Sequence, residues 1–264
     1  QAEDGIRDVE RSRGLGDVYK RQVTKKFEAK QNELIKAAKL ATIGEISTAL
    51  AHEIRNPLTG ISVALQLLKK DSLSDSQIEV IEDVLSEIDR LNRIISDLLT
   101  FAKPHPPNFA RVSPNEIIER VINIVSPILN EKNIEVRLNL DEDIPEFIVD
   151  PEQIQQVILN LTINAIDAID TEGKMEISTR RKNGNIIIDI KDNGEGIPEE
   201  NMKKLFYPFF TTKGGGTGLG LSISKNIIDK HRGEIKVESE VNEGSVFSVI
   251  LPEKLDKEEI LVTN

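Results

Sequence analysis

Apolar residues at Ile43, Ile46, Leu50, Ile54, Ile61, Leu65 and Leu68 fall on the three, four and seven spacings of one buried helix stripe. The pattern is helical from Val23 to Leu68, and the turn and cap residues Asp71-Ser72-Leu73-Ser74-Asp75-Ser76 end it. A second helix follows, in which Ile81, Val84, Ile88, Leu91, Ile95, Leu98 and Ala102 alternate steps of three and four as a heptad seam. One hairpin cannot shield two such stripes, whereas two hairpins from two chains share a four-helix core, so a homodimer is expected. Pro104, Pro106 and Pro107 prevent helix continuation and mark an extended linker. Beyond it the pattern predicts helices near 114–131, 151–169 and 217–231, strands near 134–140, 174–182 and 185–191, and a closing hairpin near 234–251. The expected fold class is therefore multidomain: an antiparallel helical hairpin forming a dimeric bundle, then an α/β sandwich. The domains expected are a disordered lead at 1–22, a helical dimerisation domain at 23–103, a linker at 104–110, the α/β domain at 111–253 and a tail at 254–264.

Composition narrows the class. With 45 acidic against 34 basic residues the net charge is -11, which argues against nucleic acid or an anionic membrane as partner. Zero cysteines exclude disulfides and thiolate chemistry and are compatible with a reducing cytoplasm. No apolar run approaches the roughly 20 residues of a membrane span, so no membrane contact is expected of this stretch. The first residue is Gln1 and not methionine, which suggests a fragment whose longer parent could be membrane-anchored. Residues 1–22 are charged and aperiodic, resemble translated adapter read-through, and are assigned no function.

His52 lies off the apolar stripe, roughly 200° around the helix from Leu50, and so faces water. A lone histidine on a helix is usually just a polar surface residue. Here Glu53 is adjacent and could accept the ring proton, leaving the other nitrogen free to attack phosphorus, and Asn56 is one turn on along the same face.

Four runs in the α/β region fit one nucleotide. Asn160 and Asn164 share a helix face, and neutral amide oxygens suit a hard cation such as Mg²⁺ that keeps phosphate and water ligands. Asp192-Asn193-Gly194-Glu195-Gly196 leaves a strand for a glycine turn, and a carboxylate at the base of such a pocket can accept a hydrogen bond from the exocyclic amine of adenine. An ordinary β-turn is the plainer reading of that run. Leu205-Phe206-Tyr207-Pro208-Phe209-Phe210-Thr211-Thr212-Lys213 gathers most of the aromatics and leads into Gly214-Gly215-Gly216-Thr217-Gly218-Leu219-Gly220. These glycines let backbone amides approach an anion at a helix N-terminus. No P-loop or dinucleotide fingerprint is present.

The run around His52 resembles the H-box of sensor histidine kinases. The four later runs resemble the N, G1, F and G2 boxes of the ATP-binding domain shared by histidine kinases, gyrase, Hsp90 and MutL, the Bergerat or GHKL fold. The resemblance implies that His52 accepts phosphate from ATP and passes it to an aspartate on the receiver domain of a response regulator. It implies Asn164 as magnesium ligand and Asp192 as adenine anchor. Gly194 and Gly196 would form the pocket floor, Gly216, Thr217, Gly218, Leu219 and Gly220 the lid, and Lys213 would offset phosphoryl charge. Asn160 stands where hydrolytic relatives place a glutamate base, and an amide cannot deprotonate water, so transfer should dominate over hydrolysis. Glu53 and Asn56 match an ExxN spacing that in the family accompanies regulator phosphatase activity, although Asn56 could simply precede the Pro57 perturbation. The lid is most similar to that of the nitrogen-regulation and oxygen-sensing subgroup. One departure is His231-Arg232-Gly233, where the family often has two glycines. His231 itself reads as a helix C-cap neighbour without a catalytic role. A hydrolytic or chaperone-like ATPase would lack the H-box, and a non-enzymatic scaffold would lack the nucleotide residues. A serine kinase is the remaining enzyme alternative, separable by the acid lability of phosphohistidine.

Overall fold

The computed structural model describes residues 54–66, 68, 74–102, 106–170, 173–213 and 216–254. The chain divides into two compact units, Gln1–Lys103 and Pro104–Asn264.

In the first unit, α1 covers residues 54–66 and α2 covers Asp75–Ala102. The start of α2 is a capping arrangement: the Gln77 side chain reaches back to accept from the Ser74 N–H and hydroxyl, both at 2.9 Å. Arg55 donates to the Ser96 hydroxyl at 3.4 Å, tying the early part of α1 to the late part of α2, as an antiparallel hairpin requires. Arg55, Leu58, Ser62 and Leu65 form the half-buried face of α1. Of the stripe expected to be buried, Ile43, Ile46 and Leu50 lie outside the described residues, Leu65 is half-buried, and Ile54, Ile61 and Leu68 are exposed. The α2 seam splits likewise: Ile81, Ile88 and Ile95 are buried, whereas Val84 and Leu91 remain 40% and 37% exposed. A single chain offers cover for one row of the heptad and leaves the other to solvent.

The second unit runs β1 (Ala110–Val112), α3 (Pro114–Glu131), β2 (Glu135–Asn139), β3 (Phe147–Val149), α4 (Pro151–Ala168), β4 (Lys174–Lys182), β5 (Asn185–Asp192), α5 (Glu199–Met202), α6 (Gly220–Lys230), β6 (Glu234–Glu240) and β7 (Gly244–Pro252). Five strands form a sheet in the order β2-β4-β5-β7-β6, with only β2 and β4 parallel, and β1 pairs with β3 separately. Against it lies a helical layer in which α4 packs on β5 and β7 and is flanked by α3 and α6. Alternation along β5 puts Ile186, Ile188, Ile190 and Asp192 on the buried face, so the carboxylate occupies the last inward position of a core strand.

Two local devices shape the helices. Pro127 sits inside α3 and cannot donate to Asn123; the Ser126 hydroxyl takes that carbonyl instead, at 3.0 Å, and the helix continues. At the C-terminus of α4, Lys132 Nζ donates to the carbonyls of Ile166 and Ile169 at 2.9 and 3.2 Å, satisfying acceptors that the helix leaves open. The sequence pattern does not reveal β1, β3 or α5, each of three or four residues. The last major helix begins at Gly220 and not near 217, because Gly218 adopts φ +66°, outside the helical region. No helix among the described residues is long and apolar enough to cross a membrane.

Candidate functional site

The site grows from α4. Its N-terminus is fixed by Asp150, whose carboxylate accepts from the N–H groups of Glu152 and Gln153 at 3.0 Å each, with Pro151 at the first helical position. Three turns later Asn160 and Asn164 project from one face, as their spacing requires, but they are not equivalent. Asn160 Nδ2 donates to the Gly220 carbonyl and the Ser224 hydroxyl of α6, both at 3.4 Å. Asn164 is half-buried, and its amide makes no hydrogen bond among the described residues. One asparagine therefore ties α4 to α6, and the other keeps its oxygen available to a ligand.

Asp192 is 3% exposed. Its Oδ1 accepts from the Gly194 N–H at 2.9 Å, and the backbone and hydroxyl of Ser245 also hydrogen-bond to it. Burial pushes this carboxyl above the usual carboxylate range, while the bonds from Gly194 and Ser245 and the charge of Lys213 pull it back. Ser245 escapes sequence reasoning because it reaches the site through strand register, opposite Asp192 on β7; the signal available was its place after Gly244 at the start of a strand. Gly194 is required by crowding, since a Cβ there would lie 2.4 Å from the Ala168 carbonyl. The turn thus presses on the end of α4, an approach sealed by the Glu195 N–H donating to that same carbonyl at 3.0 Å. Gly196 combines φ +70° with the Glu240 backbone where its Cβ would be.

Of the lid, Gly214 and Gly215 lie outside the described residues. Gly218 and Phe209 clamp its two ends together, through a Phe209 N–H to Gly218 carbonyl bond of 2.9 Å. Phe209 itself holds φ +65°, a left-handed conformation that a bulky side chain adopts only under constraint. The Thr217 hydroxyl accepts from the Leu219 N–H at 3.1 Å, and Gly220 opens α6 without a side-chain cap, its neighbour Asn160 in ordinary contact distance. Gly216 sits against Thr211, whose hydroxyl accepts from the Lys213 N–H at 3.1 Å. Lys213 Nζ lies 3.1 Å from Asp167 on α4, so the lysine is brought to the site's helix and rests on a carboxylate there.

His52, Glu53 and the linker residue His105 lie outside the described residues; Asn56 is helical and exposed on α1. His231 is the C-cap residue of α6 and is 1% exposed. It accepts at Nε2 from the Asp150 N–H at 2.9 Å, and Nδ1 meets the Ile227 carbonyl at 2.8 Å, which fixes a neutral ring protonated at Nδ1. Arg232, standing where the family often has glycine, adopts φ +56°.

The family model described as histidine kinase-, DNA gyrase B- and HSP90-like ATPase matches residues 149–255, and the His Kinase A (phospho-acceptor) domain model matches residues 42–107. Among curated proteins the chain is similar to the signal transduction histidine-protein kinase AtoS of Escherichia coli strain K12, at 39% identity over 84% of this chain and 37% of the relative. It is similar to sporulation kinase C of Bacillus subtilis strain 168, at 38% over 83% of this chain and 51% of the relative. Against the first it spans little more than a third of the length, and against the second about half. Among solved structures, the catalytic domain of histidine kinase ThkA is 37% identical with TM-score 0.52, covering 55% of this chain and 96% of that one. ThkA in complex with the response regulator protein TrrA is 32% identical with TM-score 0.62, over 82% and 63% of the two chains. With both domain models in their expected order and these relatives alongside, the chain belongs to the sensor histidine kinases of two-component systems.

Proposed function

We propose that this chain is the core of a protein histidine kinase that phosphorylates His52 from ATP and passes the phosphoryl group to an aspartate on a response regulator receiver domain. The observation carrying the reading is the contrast on α4, where Asn160 is committed to α6 while Asn164 keeps a free amide among the described residues, with a buried carboxylate, Asp192, ending the strand β5 on which α4 packs. Asp192 already accepts from Gly194 and Ser245, and a carboxylate has about four lone-pair sites, so the group keeps capacity to accept from the adenine amine as well. The Asn164 oxygen fits a Mg²⁺ site of the kind that keeps phosphate and water ligands, and the bound ion supplies positive charge to the phosphoryl oxygens. The amides at the start of α6 and the Lys213 ammonium add to that charge.

In the transfer, the imidazole of His52 attacks the γ-phosphorus, the N–P bond forms as the bond to ADP breaks, and Glu53 takes the ring proton. Asn160 cannot act as a base toward water, which favours transfer over hydrolysis. The helical unit, residues 23–103, would serve as dimerisation and phosphoacceptor domain and residues 111–253 as the ATP-binding domain, with 104–110 between them. The uncovered row of Val84 and Leu91 supports a homodimer sharing a four-helix core. A cytoplasmic location follows from the ATP and regulator that the reaction needs.

Labelling with γ-phosphate-labelled ATP tests the reading. His52→Gln should abolish an acid-labile label and leave nucleotide binding intact; a label persisting elsewhere would overturn it. Asn56, helical and exposed on α1, also fits a role in positioning water for regulator dephosphorylation. Asn56→Ala should slow loss of phosphate from a purified phosphorylated regulator, and equal rates would remove the phosphatase while leaving the kinase.

A further inference from the structure

The chain entering the nucleotide-binding unit is held at three successive residues. Pro107 is buried, the Asn108 N–H donates to Asp150 Oδ2 at 2.7 Å, and the Phe109 ring stands edge-on to the His231 imidazole with centroids 5.3 Å apart. Asp150 thereby serves three elements at once: one carboxylate oxygen takes Asn108, the other caps α4, and its own N–H is taken by His231 at the end of α6. Asp150 and His231 are nearly dry, at 6% and 1% exposed, so leaving the bond between them unmade is costly. The same two helices carry the site farther along, where Asn160, midway along α4, bonds to the first residue of α6. The cluster therefore sits at the far ends of the elements that frame the site, and it sets where the chain arriving from the helical unit is fastened.

Resting on the kinase reading, we propose that His231 and Phe109, through Asp150, are positioning residues for phosphoryl transfer: they fasten the incoming chain to the two helices that frame the nucleotide, so that the ATP-bearing unit meets His52 from a fixed point of attachment. A loose anchor lowers the fraction of encounters with the phosphorus in line, which reduces the rate and not the affinity for ATP. It touches neither substrate nor reacting atoms.

The test uses the full chain and measures autophosphorylation across ATP concentration, together with amide exchange at Asn108 and Phe109. Phe109→Ala should cut the saturating rate about fivefold or more at unchanged KM for ATP. His231→Leu, which strands the Asp150 N–H, should do the same and expose the Asn108 amide to exchange. His231→Gln, which keeps an acceptor near the position of Nε2, should recover both. If His231→Leu fails to fold, Phe109→Ala still decides the matter, because it alters the fastening and leaves both helices intact. Unchanged saturating rates in every variant, a raised KM with an unchanged rate, or an unprotected Asn108 amide in the parent would overturn the inference alone. A parent that binds ATP and takes up no label would overturn the kinase reading and this inference with it.

Discussion

Lys213 Nζ sits 3.1 Å from Asp167 Oδ2, one turn of α4 beyond Asn164. The side chains are 36% and 46% exposed, so solvent screens the pair and it contributes little to stability, within the ~0–1 kcal/mol of surface ion pairs. Asp167→Asn should leave the melting temperature nearly unchanged. Lys213→Ala should lower kcat/KM for autophosphorylation about 10- to 100-fold, the scale of a lost charge-assisted contact in the transition state. Equal kinetics in parent and Lys213→Ala would remove the lysine from the catalytic set.

Asp192→Ala deletes the buried carboxylate that ends β5. Hydrogen bonds to charged groups are worth about 1.5–3 kcal/mol, so Mg-ATP affinity should fall roughly 10- to 100-fold by calorimetry. Asn164→Ala should instead weaken the Mg²⁺ dependence of binding more than that of Mg-free ATP. Unchanged affinity in both variants would dissolve the proposed site.

The divided heptad of α2 separates assembly from hairpin stability. Val84→Glu with Leu91→Glu should turn a dimer into a monomer in sedimentation while the helical content persists. Ile88→Ala, at a buried position, should cost about 2–4 kcal/mol of hairpin stability instead. A parent that is monomeric at micromolar concentration would contradict the bundle.

Burial holds the His231 imidazole below its ordinary pKa, opposed by its bond to Ile227 and the charge of Asp150 and reinforced by Lys230. The folded state thus resists a proton that the unfolded chain accepts near pH 6.5. Stability is full above that value and is lost as pH falls from about 6.5 towards the lower folded pKa. Melting curves between about pH 7.5 and 5.5 should show this decline, and His231→Gln should flatten it. An identical slope in the variant would assign the decline to other groups.

The long elements were legible because their signals are local. The span near 114–131 coincides with α3 and the span near 151–169 ends one residue past α4, each with proline at its first position and a periodic apolar face. Pro127 did not disturb α3 only because Ser126 replaces its missing bond. The strands β1 and β3 are too short to show a period and exist by pairing with one another. Within the site, the asparagines, Asp192 and the glycines announce themselves by type and spacing. Ser245 and the hub joining Asp150 to His231 do not, because each is made by residues distant in sequence that register and helix packing bring together. For the same reason the apolar stripe of α1 reads as buried: periodicity tells which residues want cover and is silent on whether the same chain supplies it.

The register that sets Ser245 opposite Asp192 also has a consequence for folding. The β4–β5 and β6–β7 hairpins close over short loops and can form early, whereas β5 and β7 meet only after the F and lid segments and α6 have been gathered between them. The carboxylate proposed to anchor adenine is completed by that long-range zipper and not by either hairpin. Recovery of ATP binding during refolding should therefore lag behind recovery of secondary structure, making the nucleotide a reporter of the last strand pairing to close.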